Sequence, residues 1–310
     1  MSMKIEQKVV LITRHTRLQE LIQRYQTLAQ AKFYIEHLGA DFSDYLLENE
    51  AYAKSLRMIV DVLQDFGRFQ LIDRELVPNY HFNPEDIIII LGQDGLVANT
   101  LKYLQGQPVI AVNPEPSRWD GLLLPFTARE VKAILSEVIK NKRNCKSITI
   151  AQANLSDGQV LRAVNDFFIG PKTHASALYE IEVEGTSELQ SSSGVIVSTG
   201  LGSTAWIKSI ITGSMAIAKA NDQTIEWKYS PMAWDSKQLI FAVREPFPSR
   251  SSQAERVYGK VSHQQPLKIR SRMAEHGVIF SDGMQNDFLA FNAGIEVVIS
   301  LATDQGQLII

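Results

Sequence analysis

The stretch that most limits what this chain can fold into is Ile87-Ile88-Ile89-Ile90-Leu91-Gly92-Gln93-Asp94-Gly95-Leu96, an aliphatic run that ends in a glycine-bracketed aspartate. The aliphatic residues do not alternate with polar ones, so they predict a strand buried on both faces, as in a parallel sheet flanked by helices. Gly-Gln-Asp-Gly predicts the turn at that strand's carboxyl end, leading into a helix near residues 98–104. Open α/β sheets place their ligands at this end. Glycines without Cβ let backbone N–H groups approach a phosphate chain, and a carboxylate among them can take a proton from an attacking hydroxyl or help hold Mg²⁺. An ordinary strand-to-helix turn with Asp94 as N-cap has the same pattern, so both readings stay open on this segment alone.

At 310 residues and 45% hydrophobic, the chain can bury a large core and is expected to form two domains. A net charge of -3 gives no support to a nucleic-acid or membrane-surface role, because either needs a positive field or an apolar anchor. No apolar stretch approaches the ~20 residues that span a bilayer. The single Cys145 cannot form an internal disulfide and points to a reducing compartment, with cytoplasm the expected location. Six scattered histidines without ligand spacing give no protein-built metal site, so any metal is expected to arrive as Mg²⁺ with a nucleotide.

Along the first half, residues 8–13 predict a strand ending in the basic turn Arg14-His15-Thr16-Arg17. Helical spacing runs over 18–47, with Gly39 expected to split it into two helices, and a further helix is expected over 52–66. The run 108–113 predicts a strand parallel to the central one, and the proline-rich loop 113–121 after it belongs at the same sheet edge as Asp94. A helix over 128–140 closes this half. The expected boundary makes 1–143 an α/β nucleotide-binding domain and 144–310 a β-rich, sandwich-like domain of short alternating strands. One helix interrupts the latter, about 203–220, introduced by Ser198-Thr199-Gly200-Leu201-Gly202-Ser203-Thr204-Ala205-Trp206. A strand, a Gly/Ser/Thr turn and a helix start offer backbone donors and a positive dipole end to a nucleotide, although Ser and Thr are also the usual N-caps.

Gly92-Gln93-Asp94-Gly95, Asn165-Asp166 and Ser198 through Trp206, in that order and on those elements, resemble the NAD kinase family. That family's signatures are Gly-Gly-Asp-Gly, Asn-Glu and a Thr-Gly-Ser-Thr-Ala-Tyr type turn. The stretches 163–170, 112–116, Tyr229-Ser230-Pro231 and Val243-Arg244-Glu245-Pro246 look closest to the mitochondrial-type branch. Lipid kinases share the glycine-aspartate loop, but their later Gly-Thr-Gly-Asn-Asp type motif is missing here.

The resemblance implies a two-domain enzyme that uses ATP with Mg²⁺ to phosphorylate NAD to NADP. It implies that Asp94 is the base for the adenosine ribose 2′-hydroxyl, with Gly92, Gln93 and Gly95 lining the phosphates. Asn165 and Asp166 would bind ribose hydroxyls, for which an amide and a carboxylate offer the mixed donor and acceptor set a diol needs. Ser203, Thr204, Ala205 and Trp206 would line the nucleoside pocket, and family likeness together with strand edges suggests a homodimer. The sequence departs from the pattern at Gln93 and Leu96, which replace glycine and threonine, at Gly200-Leu201 in place of Pro-Thr, and at Asp166 in place of Glu. If the position of Gln93 requires positive φ, its side chain strains the turn. These departures keep two other readings in view: a nucleotide-binding relative with little or no activity, and a kinase for another hydroxyl such as a sugar.

Overall fold

The computed structural model describes residues 7–223, 227–284 and 287–310, which divide into two compact units. The first comprises residues 1–146 with 307–310, and the second comprises residues 147–306.

The first unit is a parallel sheet with helices. Its strands are β1 (Val9–Thr13), β2 (Phe69–Asp73), β3 (Ile87–Leu91), β4 (Pro108–Asn113) and the short β5 (Phe126–Thr127). The order is β2-β1-β3-β4, every pair parallel, with β5 also beside β4. Every residue of β3 is buried, as its unbroken aliphatic run requires, and each such side chain is worth about 1.5–3 kcal/mol removed from water. The helices are α1 (Arg17–Tyr25), α2 (Leu28–His37), α3 (Ser43–Phe66), α4 (Asp94–Leu101) and α5 (Val131–Ile139). Tyr52, Ile59 and Leu63 of α3 and Val131, Ile134 and Leu135 of α5 pack on one face of β1, β3 and β4.

The helical region before β2 differs from its expected partition. Thr16 and Thr27 cap α1 and α2, Gln26 turns left-handed at φ 68° between them, and α3 runs unbroken through the place where two helices were expected. Threonine hydroxyls start these helices, Thr27 at a break that no glycine or proline marks, while Gly39, left-handed at φ 74°, follows the end of α2 and separates it from α3 as expected. Helix α4 starts earlier than expected, at Asp94 itself, because an acidic first-turn residue suits the positive end and Leu96, Val97 and Leu101 supply the buried face.

The second unit is a two-sheet β structure with one helix. Its strands are β6 (Cys145–Leu155), β7 (Val160–Ala163), β8 (Asp166–Pro171), β9 (Ala177–Val183), β10 (Thr186–Ser192), β11 (Val195–Ser198), β12 (Leu239–Val243), β13 (Tyr258–Val261), β14 (Leu267–Ser271), β15 (Gly277–Ser281), β16 (Phe288–Ala290) and β17 (Glu296–Ile309). One sheet runs β13-β12-β11-β8-β15-β16, with every pair antiparallel. The other contains β10-β9-β14-β17 with β6 and β7. Phe167, Ile169, Val197 and Phe241 of the first sheet share a core with Tyr179, Ile181, Ile269 and Val297 of the second. The period-two alternation of β8 therefore sends Asp166 and Phe168 to the opposite face. On that face Ile196 and Ile240 receive Ile207 and Ile211 of α6 (Trp206–Ala220). No helix among the described residues is long and apolar enough to cross a membrane.

Candidate functional site

In the first unit, β3 ends at Leu91 and α4 begins at Asp94, so the whole Gly92–Gly95 turn occupies one strand-to-helix junction. Gln93 is the N-cap, with φ −123° and ψ 165° and no side-chain cap bond. This is extended backbone open to any residue, so the strain expected from a positive φ at Gln93 does not exist. Gly92 is needed for a different reason: a Cβ there would meet Leu96 Cδ2 at 2.6 Å, so glycine at 92 and leucine at 96 fit as a pair. Asp94 does not cap the helix. Its Oδ1 accepts from Leu123 N at 2.7 Å, which turns the carboxylate toward the loop after β4. That loop is itself held by buried Asn113, whose Nδ2 donates to Trp119 O at 3.0 Å and whose Oδ1 accepts from Glu115 N at 3.0 Å. Arg118 further ties it to Glu115 at 2.8 Å and to Asp44 of α3 at 2.5 Å.

In the second unit, the chain around Asn165 is organised by the carboxylate of Asp282. Its Oδ1 accepts from Val164 N at 3.1 Å, Asn165 N at 2.7 Å and Asp166 N at 3.2 Å, and Oδ2 accepts from Val164 N at 3.0 Å. Consecutive amides converging on one anion make a strong local lock. Asp282 reaches them from the left-handed region at φ 52°, which aspartate tolerates better than most residues. The Ser198–Trp206 turn is fastened to the same place. Thr199 N donates to Asn165 O at 2.9 Å, Thr199 Oγ1 donates to Val164 O, and Gly202 N donates back to Thr199 Oγ1 at 3.2 Å. Gly202 permits this approach, since a Cβ there would lie 2.1 Å from Asn165 O.

The face of β8 that carries Asp166 and Phe168 opens on a cleft of about 530 Å³, within the range of small-molecule sites. Phe168 is opposite Phe280 across the β8–β15 ladder, and their rings lie 6.2 Å apart. Trp206, at the start of α6, stacks on Phe168 at 5.8 Å with 7° between planes. The Arg244 guanidinium lies 5.5 Å from the Trp206 ring and 6.0 Å from that of Phe168. Lys172 also lines the cleft, its Nζ 4.3 Å from the Phe288 ring. Burial pushes the Asp166 carboxyl up to about 7, and the neighbouring charge of Asp282 adds to the shift. A flat aromatic shelf beside a carboxyl and two cations suits a ligand with a planar ring and polar or anionic substituents.

Comparison with known proteins finds relatives of the chain. No family model matches the chain. It is 24% identical to NAD kinase 2, mitochondrial, of Rattus norvegicus over 91% of this chain and 82% of that protein. It is 25% identical to the Homo sapiens protein of the same name, over 91% of this chain and 79% of that one. The chain is a relative of the NAD kinases. Two solved structures share its fold: yeast NADH kinase complexed with NADH, with a TM-score of 0.57, 17% identity and coverage of 98% of this chain and 83% of that chain, and an NAD kinase from Archaeoglobus fulgidus in complex with ATP, with a TM-score of 0.56, 15% identity and coverage of 98% and 93%.

The residues singled out in this NAD kinase-like sequence fall into separate groups. Gly92, Gln93, Asp94 and Gly95 stand together at one junction of the first unit, with Gly95 exposed. Asn165, Asp166, Ser203, Thr204, Ala205 and Trp206 belong to the second, but they differ in role. Asp166 and Trp206 line the cleft, whereas Ser203 is fully buried and its hydroxyl is consumed, donating to Gly200 O at 2.6 Å and accepting from Met232 N at 3.0 Å. Tyr229 Oη donates to Ser203 O at 2.6 Å, so the Tyr229-Ser230-Pro231 segment braces the turn. Thr204 and Ala205 are exposed beside it. Among the described residues no three His, Cys, Asp or Glu side chains gather to hold a metal. Lys172, Phe280 and Asp282 carry no signal in the sequence that marks them as site residues, and Phe168 and Arg244 stand out there only within stretches of a branch likeness.

Proposed function

We propose that this protein is an NAD kinase-like phosphotransferase that moves the γ-phosphoryl group of ATP to the 2′-hydroxyl of the adenosine ribose of NAD, giving NADP and ADP. The observation that carries the proposal is the Asp94 carboxylate at a strand-to-helix junction, one oxygen held by Leu123 N–H. Its other oxygen makes no hydrogen bond among the described residues and is available to the hydroxyl proton. As that proton passes to Asp94, the ribose oxygen bonds to the γ-phosphorus and the bond to the ADP oxygen breaks. Gly92, Gln93 and Gly95 line the phosphates, with the backbone at exposed Gly95 open to close approach. Mg²⁺ would arrive with the nucleotide, held by its phosphate oxygens with the Asp94 carboxylate as the protein oxygen donor beside them, and would supply neutralisation of charge on the phosphates. Asn165 and Asp166 take ribose hydroxyls, and Trp206 with the turn from Ser203 through Ala205 bounds the nucleoside. The kinship with NAD kinase 2 proteins over 91% of the chain supports NAD as acceptor.

A second reading is a nucleotide-binding relative with little or no transfer, favoured by the Leu96 side chain packed against Gly92 and by Gln93 within the phosphate turn. Incubating the purified protein with ATP, Mg²⁺ and NAD and assaying NADP separates the two. NADP formation supports the kinase. Bound NAD without NADP favours the binding protein, and phosphate appearing on a sugar moves the acceptor elsewhere. We also propose a cytoplasmic homodimer formed through the second unit, in which β10, β13 and β16 end their sheets. A 34.7 kDa species in sedimentation at micromolar concentration overturns the dimer.

A further inference from the structure

Arg244 follows directly on β12, and its main chain is fixed, with N donating to Gly194 O at 2.8 Å and O accepting from Ser193 N at 2.9 Å. Its guanidinium carbon lies 5.5 Å from the Trp206 ring and 6.0 Å from the Phe168 ring, cation–π contacts that use none of its N–H donors. Gly194 makes the arrangement possible: at φ 107°, a Cβ there would come within 2.7 Å of the Phe168 ring. Among the described residues the guanidinium donates no hydrogen bond at all. Its one ionic neighbour, the exposed Glu245 carboxylate next in sequence, stays 3.7 Å away. The result is a half-buried fork of unused donors on the wall of a 530 Å³ cleft, and a second cation, Lys172, lines the same cleft. A guanidinium held in this way matches two oxygens of a phosphate. Asp166 is the only carboxylate lining the cleft among the described residues, and its raised affinity for a proton softens the repulsion an incoming anion meets.

We propose that Arg244 grips a phosphate of the nucleotide bound in this cleft, making the cleft selective for nucleotides, mononucleotide or dinucleotide, over nucleosides. This rests on reading the cleft as a nucleotide site in the proposed function, and it assigns to Arg244 a contact that the sequence signatures do not contain. Equilibrium binding of adenosine, AMP and NAD to the wild type, Arg244→Met and Arg244→Lys tests it, with ATP left out so that no transfer intervenes. The wild type should bind AMP and NAD about tenfold or more tighter than adenosine, the effect of charge-assisted hydrogen bonds to one phosphate. Arg244→Met should bind adenosine as the wild type does and lose most of that preference. Arg244→Lys should keep part of it, since an ammonium attracts the anion without presenting a fork. A preference that survives in Arg244→Met overturns the inference, as does a wild type that binds adenosine as tightly as AMP. If Arg244→Met loses adenosine too, the same ratio in Arg244→Lys decides. An Arg244-dependent phosphate preference without NADP formation refutes the transfer reaction and leaves this contact standing. NADP formation with an unchanged KM for NAD in Arg244→Met does the reverse.

Discussion

Gly92, Gln93, Asp94 and Gly95 are neighbours in the chain, and a single strand end followed by a single helix start places all four. Asp166, Trp206, Arg244, Phe280 and Asp282 come from β8, α6, the end of β12, β15 and the turn after it, and they meet only because one sheet orders those strands side by side. The first arrangement depends on local geometry and on one hydrogen bond from a loop. The second depends on strand register, since a slip of one residue in β8 would send Phe168 into the core and Phe167 to the cleft. A contiguous site should fail by losing chemistry while the protein stays folded, and an assembled one should fail by losing shape.

The largest expected effect is a loss of chemistry in the first region. Asp94→Asn keeps an oxygen to accept from Leu123 N–H, so the loop and α4 stay in place, but an amide is no base. Phosphoryl transfer should drop by ~10² to 10⁴, the usual worth of a general base, with melting temperature and NAD affinity near wild type. Turnover near wild type in this variant would take Asp94 out of the mechanism, and a large fall in melting temperature would show that the turn is not the self-sufficient element described above.

Two glycines give the next largest contrast. A methyl on Gly202 would sit 2.1 Å from Asn165 O, and the backbone there is pinned by Asp282 and Thr199 and has little room to yield. Overpacking against fixed backbone typically costs ~1–3 kcal/mol, so Gly202→Ala should lower the melting temperature and weaken NAD binding by about tenfold or more. Gly95→Ala meets nothing within 4 Å and lies in a helical first turn, where alanine is favoured over glycine by up to about 1 kcal/mol. Its melting temperature should hold or rise slightly, while its transfer rate should fall if the phosphate chain approaches that backbone. Equal melting temperatures for the two variants would erase the distinction between the regions.

A smaller effect is the pH dependence that Asp166 gives the assembled cleft. The Asp166 carboxyl titrates at about 7 in the fold, against an ordinary 3.8, because burial and then the Asp282 charge favour the protonated form. The folded protein therefore binds more protons than the unfolded chain between these values. The contribution of Asp166 is fully present below about 3.8, is lost as pH rises to about 7, and changes no further above that. Asp166→Asn stays neutral throughout. Denaturation at pH 5 and at pH 8 should show the variant gaining on the wild type at the higher pH, and parallel curves would mean that Asp166 is already ionised in the fold.

The sequence made the first region plain because an aliphatic run, a glycine turn and an apolar helix face are each local signals. Even there the details came from elsewhere, since the Leu123 amide that orients Asp94 is 29 residues away. The second region was harder for a physical reason. Strand β10 is Thr-Ser-Glu-Leu-Gln-Ser-Ser, which carries no hydrophobic alternation, yet Glu188, Gln190 and Ser192 are buried. They are satisfied by a network in which Tyr179 Oη donates to Gln190 Oε1 at 3.0 Å and Arg256 N donates to Glu188 Oε1 at 2.8 Å. Polar residues with buried partners read as loop until the partners are known. In the same way Asp282 reads as a turn residue, and its role toward Asn165, 117 positions earlier in the chain, becomes visible only in the fold.

The smallest expected effect concerns Gln93, the most conspicuous departure from the family turn. The backbone reason for expecting a penalty is gone, because φ −123° and ψ 165° suit glutamine, and the residue makes no side-chain cap bond that a glycine would lose. Glycine and a non-bonding side chain at an N-cap differ by tenths of a kcal/mol, so Gln93→Gly should leave stability nearly unchanged. What remains is the side chain itself, half-buried beside Asp94 at the edge where the triphosphate is proposed to lie. If it swings clear, kcat with ATP in the glycine variant should stay within a few-fold of wild type. A tenfold acceleration would amount to about 1.4 kcal/mol of transition-state binding released by removing the side chain. That result would identify Gln93 as a steric brake on the donor, and it would sharpen the contrast between the regions, because NAD affinity, proposed to be set by the second unit, should not move with it.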